Sequence, residues 1–567
     1  MYKEHSEIMI KRILTGIILL LGASLSLHAQ TDVQKLRERD RKTQLEMSRS
    51  KEIFSALLNN LSILYVDTID MKSIFSEGMN SMLAGLDPYT NYLEQSETED
   101  FKFMATGEYG GIGAFIQQRD SVVYVSNPMP NTPAERAGLK VGDMFVKIDT
   151  LSVIPSTNAR VSNLLKGPVG TSVKVTIRRL GEDKEREITL VREKVIVDQV
   201  VHRGIYGDGV GYIRLSSFTD KSAQNVMDAF TQLRDTKKMK SLILDLRGNT
   251  GGVMGGAIEI LSMFVPEKTL VVETKGRQVG TSQKYYTSGK VLDTKIPIAV
   301  LINSNSASSS EIVAGAMQDL DRAVLIGSKS FGKGLVQTTR PLPYKGLLKV
   351  TTARYHIPSG RCIQQIDYSH KQPDGSVAAV PDSLTTLFKT TNGREVRDGG
   401  GIRPDIEIKD EILPGIVIYM LRDGSLFEYA GRLFLKKPKV QSIKEIKITD
   451  EEFEGLVNFL EEKKFRYGEQ SRKVVSALER LIEFEGYSES SKEAFETLKK
   501  QLEPNLKRDI VPHKKLISAY LKEFLAAHYF GMEAQYAVNM ETDPTVTKAI
   551  EILSNPKEYN KILFPKK

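Results

Sequence analysis

One cysteine, Cys362, stands in a chain of 567 residues, and tryptophan is absent. A single thiol excludes an internal disulfide and every zinc site built from cysteine pairs, and no His-Glu-x-x-His motif replaces them. The net charge of +8 is scattered rather than blocked and does not alternate with aromatics, so it gives no footprint for nucleic acid. The apolar run Ile13 to Leu27 falls short of the roughly 20 residues that a membrane-spanning helix needs. It follows Lys11 and Arg12 and precedes Ala29, the order of a secretory signal peptide cleaved after Ala29. An uncleaved anchor is the other reading, and with no cysteine after the run, lipid attachment there is excluded.

What remains is an ordinary globular composition, 40% apolar and 26% charged, in a chain too long for one core. Beyond the signal segment 1–29, residues 30–106 carry helical spacing, as in Phe54, Leu57, Leu58, Leu61 and Leu64. Residues 107–193 change to short apolar strands with glycine turns, and 194–410 alternate strands with helices. Residues 411–567 are rich in lysine and glutamate at helical spacing and read as a helical accessory region. The expected fold class is therefore mixed α/β: a βαβ-type core with an inserted β-rich module and helical ends.

Three segments carry chemistry. In "INSNSASSSEIVAGAMQDLDRAVLIGSKSFGKGLVQ", Ile302 to Gln337, an apolar strand runs into a serine-rich turn that opens a helix over Ser308–Leu320. A nucleophile there would stand at the strand's carboxyl end, beside a helix N-terminus that favours developing negative charge. Ser308 and Glu311 equally have the spacing of a capping box, which would make Ser308 an N-cap only. Lys333 lies between Gly332 and Gly334 in the same stretch. To act as a general base it must be neutral, several pH units below the usual lysine value of about 10.4. Phe331 and Val336 would desolvate it, and Gln337, four residues on, would hold the amine from one helical turn away. A surface or phosphate-binding lysine is the alternative, although the Walker pattern fails because no Ser or Thr follows. Third, "LDLRGNTGG", Leu244 to Gly252, ends a buried strand in a glycine turn that either aims N–H groups at an oxyanion or serves sterics alone. No G-x-S-x-G elbow surrounds a serine, so His202, His356, His370, His513 and His528 offer no triad by motif.

Between residues 107 and 193, "GGIGAFI", "NTPAERAGL" and "VGDMFVKID" occur in order and resemble a PDZ domain. With the three catalytic segments and "TTARYHIPSGRCIQ" and "GGIRPDIEI", the stretch from Phe54 to Ile408 resembles the C-terminal processing, or tail-specific, serine peptidases. The resemblance implies Ser308 as nucleophile, Lys333 as general base and Gln337 as its orienting partner. It implies an oxyanion hole from the N–H of Ser309 with one from Gly251 or Gly252, and a structural part for Asp319. Alanine is common in the family at the position of Ser309. Gly111, Ile112, Gly113 and Ala114 match the loop that takes a C-terminal carboxylate. No metal or organic cofactor is expected. The implied partners are protein substrates held by their C-terminal tails, and the helical ends offer surfaces for a homo-oligomer or a regulatory protein. The leader and the family together imply an exported, periplasmic enzyme, membrane-associated if the leader stays. The rivals are a PDZ scaffold without activity and an ester hydrolase on the same fold.

Overall fold

The computed structural model describes residues 41–277, 280–371, 377–437 and 440–565, so the expected signal segment lies outside the described residues. The described residues up to Tyr92, 41–92, form a compact unit of their own. It holds helix α1, residues 41–64, and α2, Met71–Ala84, which starts where the Asp70 carboxylate accepts the N–H groups of Lys72 and Ser73. Phe75 sits between Phe54 and Tyr92, with ring centroids 6.0 and 6.3 Å apart.

From Leu93 onward the chain forms the second unit. Helix α3, Gln95–Thr106, leads into β1, Glu108–Gly111, which pairs with β7, Glu193–Ile196, and so joins the two ends of the expected PDZ module. Between them lie β2 (Ala114–Arg119), β3 (Val122–Pro128), β4 (Met144–Ile148), α4 (Asn158–Leu165), β5 (Ser172–Arg178) and β6 (Arg186–Val191). The sheet order is β2-β3-β4-β5-β6, which leaves β2 at an edge flanked by α4. Val123, Val125, Phe145, Ile148, Val173, Val175 and Ile177 close a core of their own.

The next sheet consists of β8 (Val200–Tyr206), β9 (Val210–Leu215), β10 (Ser241–Asp245), β12 (Ile298–Ile302), β13 (Val324–Gly327) and β16 (Ile406–Glu407), in that order. Only β8 runs antiparallel to its neighbour. β10, β12 and β13 are buried at every position, so both faces need cover. Leu242, Leu244, Ile298, Val300 and Leu325 turn to α5 (Ser222–Lys237), α6 (Met254–Phe264) and α7 (Ser309–Asp319). The alternate residues Ile243, Ala299, Leu301, Val324 and Ile326 turn to the other face. There they meet Val546, Ala549, Ile552 and Leu553 of α15 (Pro544–Leu553) and Tyr559 and Leu563 of α16 (Pro556–Leu563). The expected accessory region 411–567 is thus divided. Its last two helices form the second cover of the α/β sheet, while α8 (Gly415–Arg422), α9 (Ser425–Lys436), α10 (Asp450–Glu462) and α13 (Lys514–Phe530) build a separate helical core. Spacing alone shows that a helix has an apolar face, not which partner it covers.

That helical core also holds the PDZ module. Arg119, at the end of β2, lays its guanidinium 3.3 Å from the Phe427 ring centroid, and burial lowers its pKa to about 9. A third, antiparallel sheet part pairs β11 (Leu270–Gly276) with β15 (Leu347–His356), and β15 with β14 (Leu335–Pro341).

His202 on β8 is buried against Tyr206, Tyr212 and Tyr536, its Nε2 is 2.7 Å from the Tyr206 hydroxyl, and Nδ1 has no partner among the described residues. Burial first, and the charge of Arg214 second, depress its pKa from 6.5 to about 4. The unfolded chain therefore binds this proton more readily. The stabilisation is complete above pH 6.5 and is lost as the pH falls toward 4, amounting to roughly 2–3 kcal/mol. Melting curves should show a steeper drop between pH 7 and 4.5 for the parent than for His202→Gln. Parallel pH profiles would sink this assignment.

Candidate active site

Ser308 lies in the turn between β12 and α7 with φ +57° and ψ −115°, a conformation that side chains other than glycine rarely adopt. As the residue before a helix its strain is paired with orphan N–H groups at the start of α7. Glu311 forms the expected box with it, the Ser308 N–H donating to Oε2 at 2.8 Å. The box reading is therefore right, and it is incomplete. The Glu311 carboxylate, fully buried, also accepts the Ser330 hydroxyl at 2.5 Å, the Gly332 N–H at 2.7 Å and the Lys333 N–H at 2.9 Å. It ties the backbone of Ser308 to that of Lys333, which lies 22 residues beyond Glu311 itself. Complete burial raises its pKa above the usual carboxylate range, and the four donors work against that rise.

The glycine turn after β10 stands directly against Ser308. A Cβ on Gly251 would sit 2.8 Å from the Ser308 Cβ and 3.0 Å from the Ser309 nitrogen. At Gly252, φ is +145° and a Cβ would fall 2.0 Å from the Phe218 carbonyl oxygen, so only glycine fits. The turn is bolted to the nucleophile segment by Ala307 N–H to Asn249 O at 3.0 Å, Ser310 Oγ to Asn249 O at 2.8 Å and Ser309 Oγ to Gly252 O at 3.0 Å. Gly251 N–H donates to Asn249 Oδ1 at 2.9 Å and is thereby occupied. Of the two candidates that the sequence left open, the Gly252 N–H meets no acceptor among the described residues.

Gln337 lies on β14, a strand, so the helical-turn argument from its spacing does not hold. Its Nε2 donates to Thr351 Oγ1 at 3.3 Å on the neighbouring β15. Asp319, at the last turn of α7, pairs with Arg361 at 2.9 Å and accepts the Ser359 N–H at 2.9 Å, which fixes the helix end as expected. His356 donates from Nδ1 to the Gly360 carbonyl at 2.9 Å. Sequence reasoning missed three supports: the reach of Glu311 beyond its own box, Ser330, and Tyr355, whose hydroxyl contacts the carbonyl oxygens of both Ser308 and Lys333. The spacing Ser330-x-x-Lys333 was a visible signal; the tyrosine had none.

In the PDZ module, the Ile112 carbonyl accepts from Ala134 N–H, and the Gly113 carbonyl from Met129 N–H and the Thr132 hydroxyl. Because each peptide unit points its N–H opposite its carbonyl, the Gly113 and Ala114 N–H groups face the other way. The Tyr109 hydroxyl meets the first of them, and burial pushes that phenol up to about 12. Gly111 is part of the β1–β7 ladder and the Gly113 N–H is met by Tyr109, which leaves Ile112 and Ala114 as the loop's other N–H groups. Along β2, Asn158 Nδ2 of α4 donates to the Ile116 carbonyl at 3.3 Å.

No group of described residues has the composition of a metal site, and among them no helix is long and apolar enough to cross a membrane.

Residues 209–377 match peptidase family S41, 124–179 match a PDZ domain, and 416–553 match the C-terminal helical domain of probable PDZ-proteases. A carboxy-terminal-processing protease of Bartonella bacilliformis is 37% identical over 350 residues, which cover 61% of this chain and 78% of the relative. A probable CtpA-like serine protease of Staphylococcus haemolyticus is 32% identical, with 55% of this chain and 61% of that protein covered. Among solved structures, the photosystem II D1 C-terminal processing protease is 27% identical over 62% of this chain and 86% of its own, with a TM-score of 0.34.

Proposed function

The chain belongs to the carboxy-terminal-processing proteases of peptidase family S41, serine proteases that here carry a PDZ domain, and from that premise we propose a Ser308–Lys333 dyad acting through an acyl-enzyme. The observation that carries the proposal is the Glu311 carboxylate, which holds the backbones of these two residues together from inside the protein. Ser308 Oγ attacks the scissile carbonyl carbon while the neutral Lys333 amine takes the hydroxyl proton. The tetrahedral oxyanion rests on the N–H groups of Ser309 and Gly252, where the N-terminus of α7 adds its dipole. Lys333 returns the proton to the leaving amine, and water, deprotonated by the same amine, cleaves the ester. The substrate is a protein whose C-terminal tail adds a strand along the edge of β2, its carboxylate on the N–H groups of Ile112 and Ala114. The enzyme is exported, and the helical ends supply any contact with a second copy or a regulatory protein. The test is cleavage of a folded protein bearing an apolar C-terminal tail. Parent protein should cut it and Ser308→Ala should not; cutting by Ser308→Ala rejects the nucleophile.

The tail site makes its own prediction. Gly113 has φ +75°, and a Cβ there would lie 2.3 Å from the Thr132 Cβ. Gly113→Ala should distort the loop and weaken binding of a tail peptide by about tenfold or more, since a strained backbone costs roughly 1–3 kcal/mol. Cleavage of the tailed protein should fall with it, while a short untailed ester substrate is turned over as before. Equal losses on both substrates would separate the loop from tail recognition.

A further inference from the structure

We infer that Tyr355 is a positioning residue of the active site, fixing the peptide plane that aims the Ser309 N–H at the oxyanion. Glu311 collects N–H groups from both Ser308 and Lys333; Tyr355 collects their carbonyls. Its hydroxyl lies 3.1 Å from the Ser308 carbonyl oxygen and also contacts that of Lys333. The side chain is 1% exposed and belongs to the main core, so the hydroxyl has one place to be. Its backbone is fixed too, because the Tyr355 N–H donates to the Gly334 carbonyl at 3.0 Å, one residue beyond Lys333. Two sides of the dyad are therefore clamped by opposite kinds of group, an acceptor and a donor.

The clamp on Ser308 matters for a geometric reason. The Ser308 carbonyl and the Ser309 N–H belong to one planar peptide unit, so holding the oxygen sets the direction of the N–H. Ser308 occupies a strained φ, +57°, where the plane is not held by a broad energy well of its own. The first helical bonds, from Glu311 N–H at 2.8 Å and Ile312 N–H at 2.9 Å, reach the same oxygen from the helix side. Tyr355 reaches it from β15, in a different sheet. A hydroxyl lost here frees the plane to swing within the limits that α7 allows. Catalysis then loses alignment that only the tetrahedral state uses, and substrate binding does not.

This rests on Ser308 being the nucleophile, and the experiment separates the two. Steady-state cleavage of the tailed protein, inhibition by a peptidyl boronate and binding of a free tail peptide are measured for the parent, Ser308→Ala and Tyr355→Phe. Tyr355→Phe should lower kcat about 10- to 100-fold, weaken the boronate by the same factor, and leave KM and tail-peptide affinity within twofold. Installing 4-aminophenylalanine at position 355 restores a donor and should recover most of kcat. Filling the same space with 4-methylphenylalanine should not, which keeps the test open if the phenylalanine variant folds poorly. Parent-like kcat in the variants without a donor overturns the role of Tyr355, as does a loss of kcat that the amino analogue fails to recover. Cleavage by Ser308→Ala overturns the dyad and this inference with it.

Discussion

Lys333→Ala is expected to lower kcat/KM for a tailed protein by about 10²–10⁴, the range that a lost general base costs, with little change in melting temperature. Ser308→Ala should fall to the same floor, and the double variant no lower, because the two groups act on one proton and removing either ends its transfer. Lys333→Arg is the sharper test of role. A guanidinium stays protonated at any working pH and cannot accept the hydroxyl proton, so this variant should be as inert as alanine even though its charge is kept. Were the lysine only an electrostatic stabiliser of the oxyanion, arginine would retain part of the rate. Folding should survive each change, since the contacts that hold this loop are made by the Lys333 N–H and carbonyl, which every substitution keeps.

The nucleophile turn, the lysine loop and the glycine turn were legible because each is a short segment whose chemistry is written in adjacent residues. Position in the sheet was not. Gln337 read as one helical turn from Lys333, and it stands on β14, where alternate side chains face opposite ways and a spacing of four has another meaning. Tyr355 sits 47 residues from Ser308 and 22 from Lys333, and only the pairing of β15 with β14 brings its hydroxyl to both. Glu311 was readable as a cap because that bond is local; its bonds to Gly332 and Lys333 cross from one loop to another and have no local signature. The same limit hid the fate of the chain's end. α15 and α16 have ordinary amphipathic spacing, and what decides their place is the second apolar face of a fully buried sheet, 200 residues and more upstream.

Glu311→Ala should be the most damaging substitution for stability and activity together. It leaves three backbone N–H groups and the Ser330 hydroxyl facing a cavity, and bonds to a charged acceptor are worth about 1.5–3 kcal/mol each. Some of that is recovered by water entering the cavity, so an overall loss on the order of 4 kcal/mol is expected. Activity should fall at least 100-fold even below the new melting temperature, because the two loops lose the brace between them. Glu311→Gln separates packing from acceptance. An amide has one acceptor oxygen, and it is best turned toward Ser308 and Lys333, because the Ser330 hydroxyl can rotate and already accepts from the Ile402 N–H at 2.6 Å. That orientation abandons the Gly332 N–H and turns the Ser330 hydroxyl from a donor into an acceptor of the amide. Glutamine should therefore lie between glutamate and alanine in both melting temperature and kcat, with the nucleophile turn preserved better than the lysine loop. If glutamine and alanine were equally inactive while glutamine kept parent stability, the carboxylate's charge, rather than its bracing of the two backbones, would be what catalysis requires.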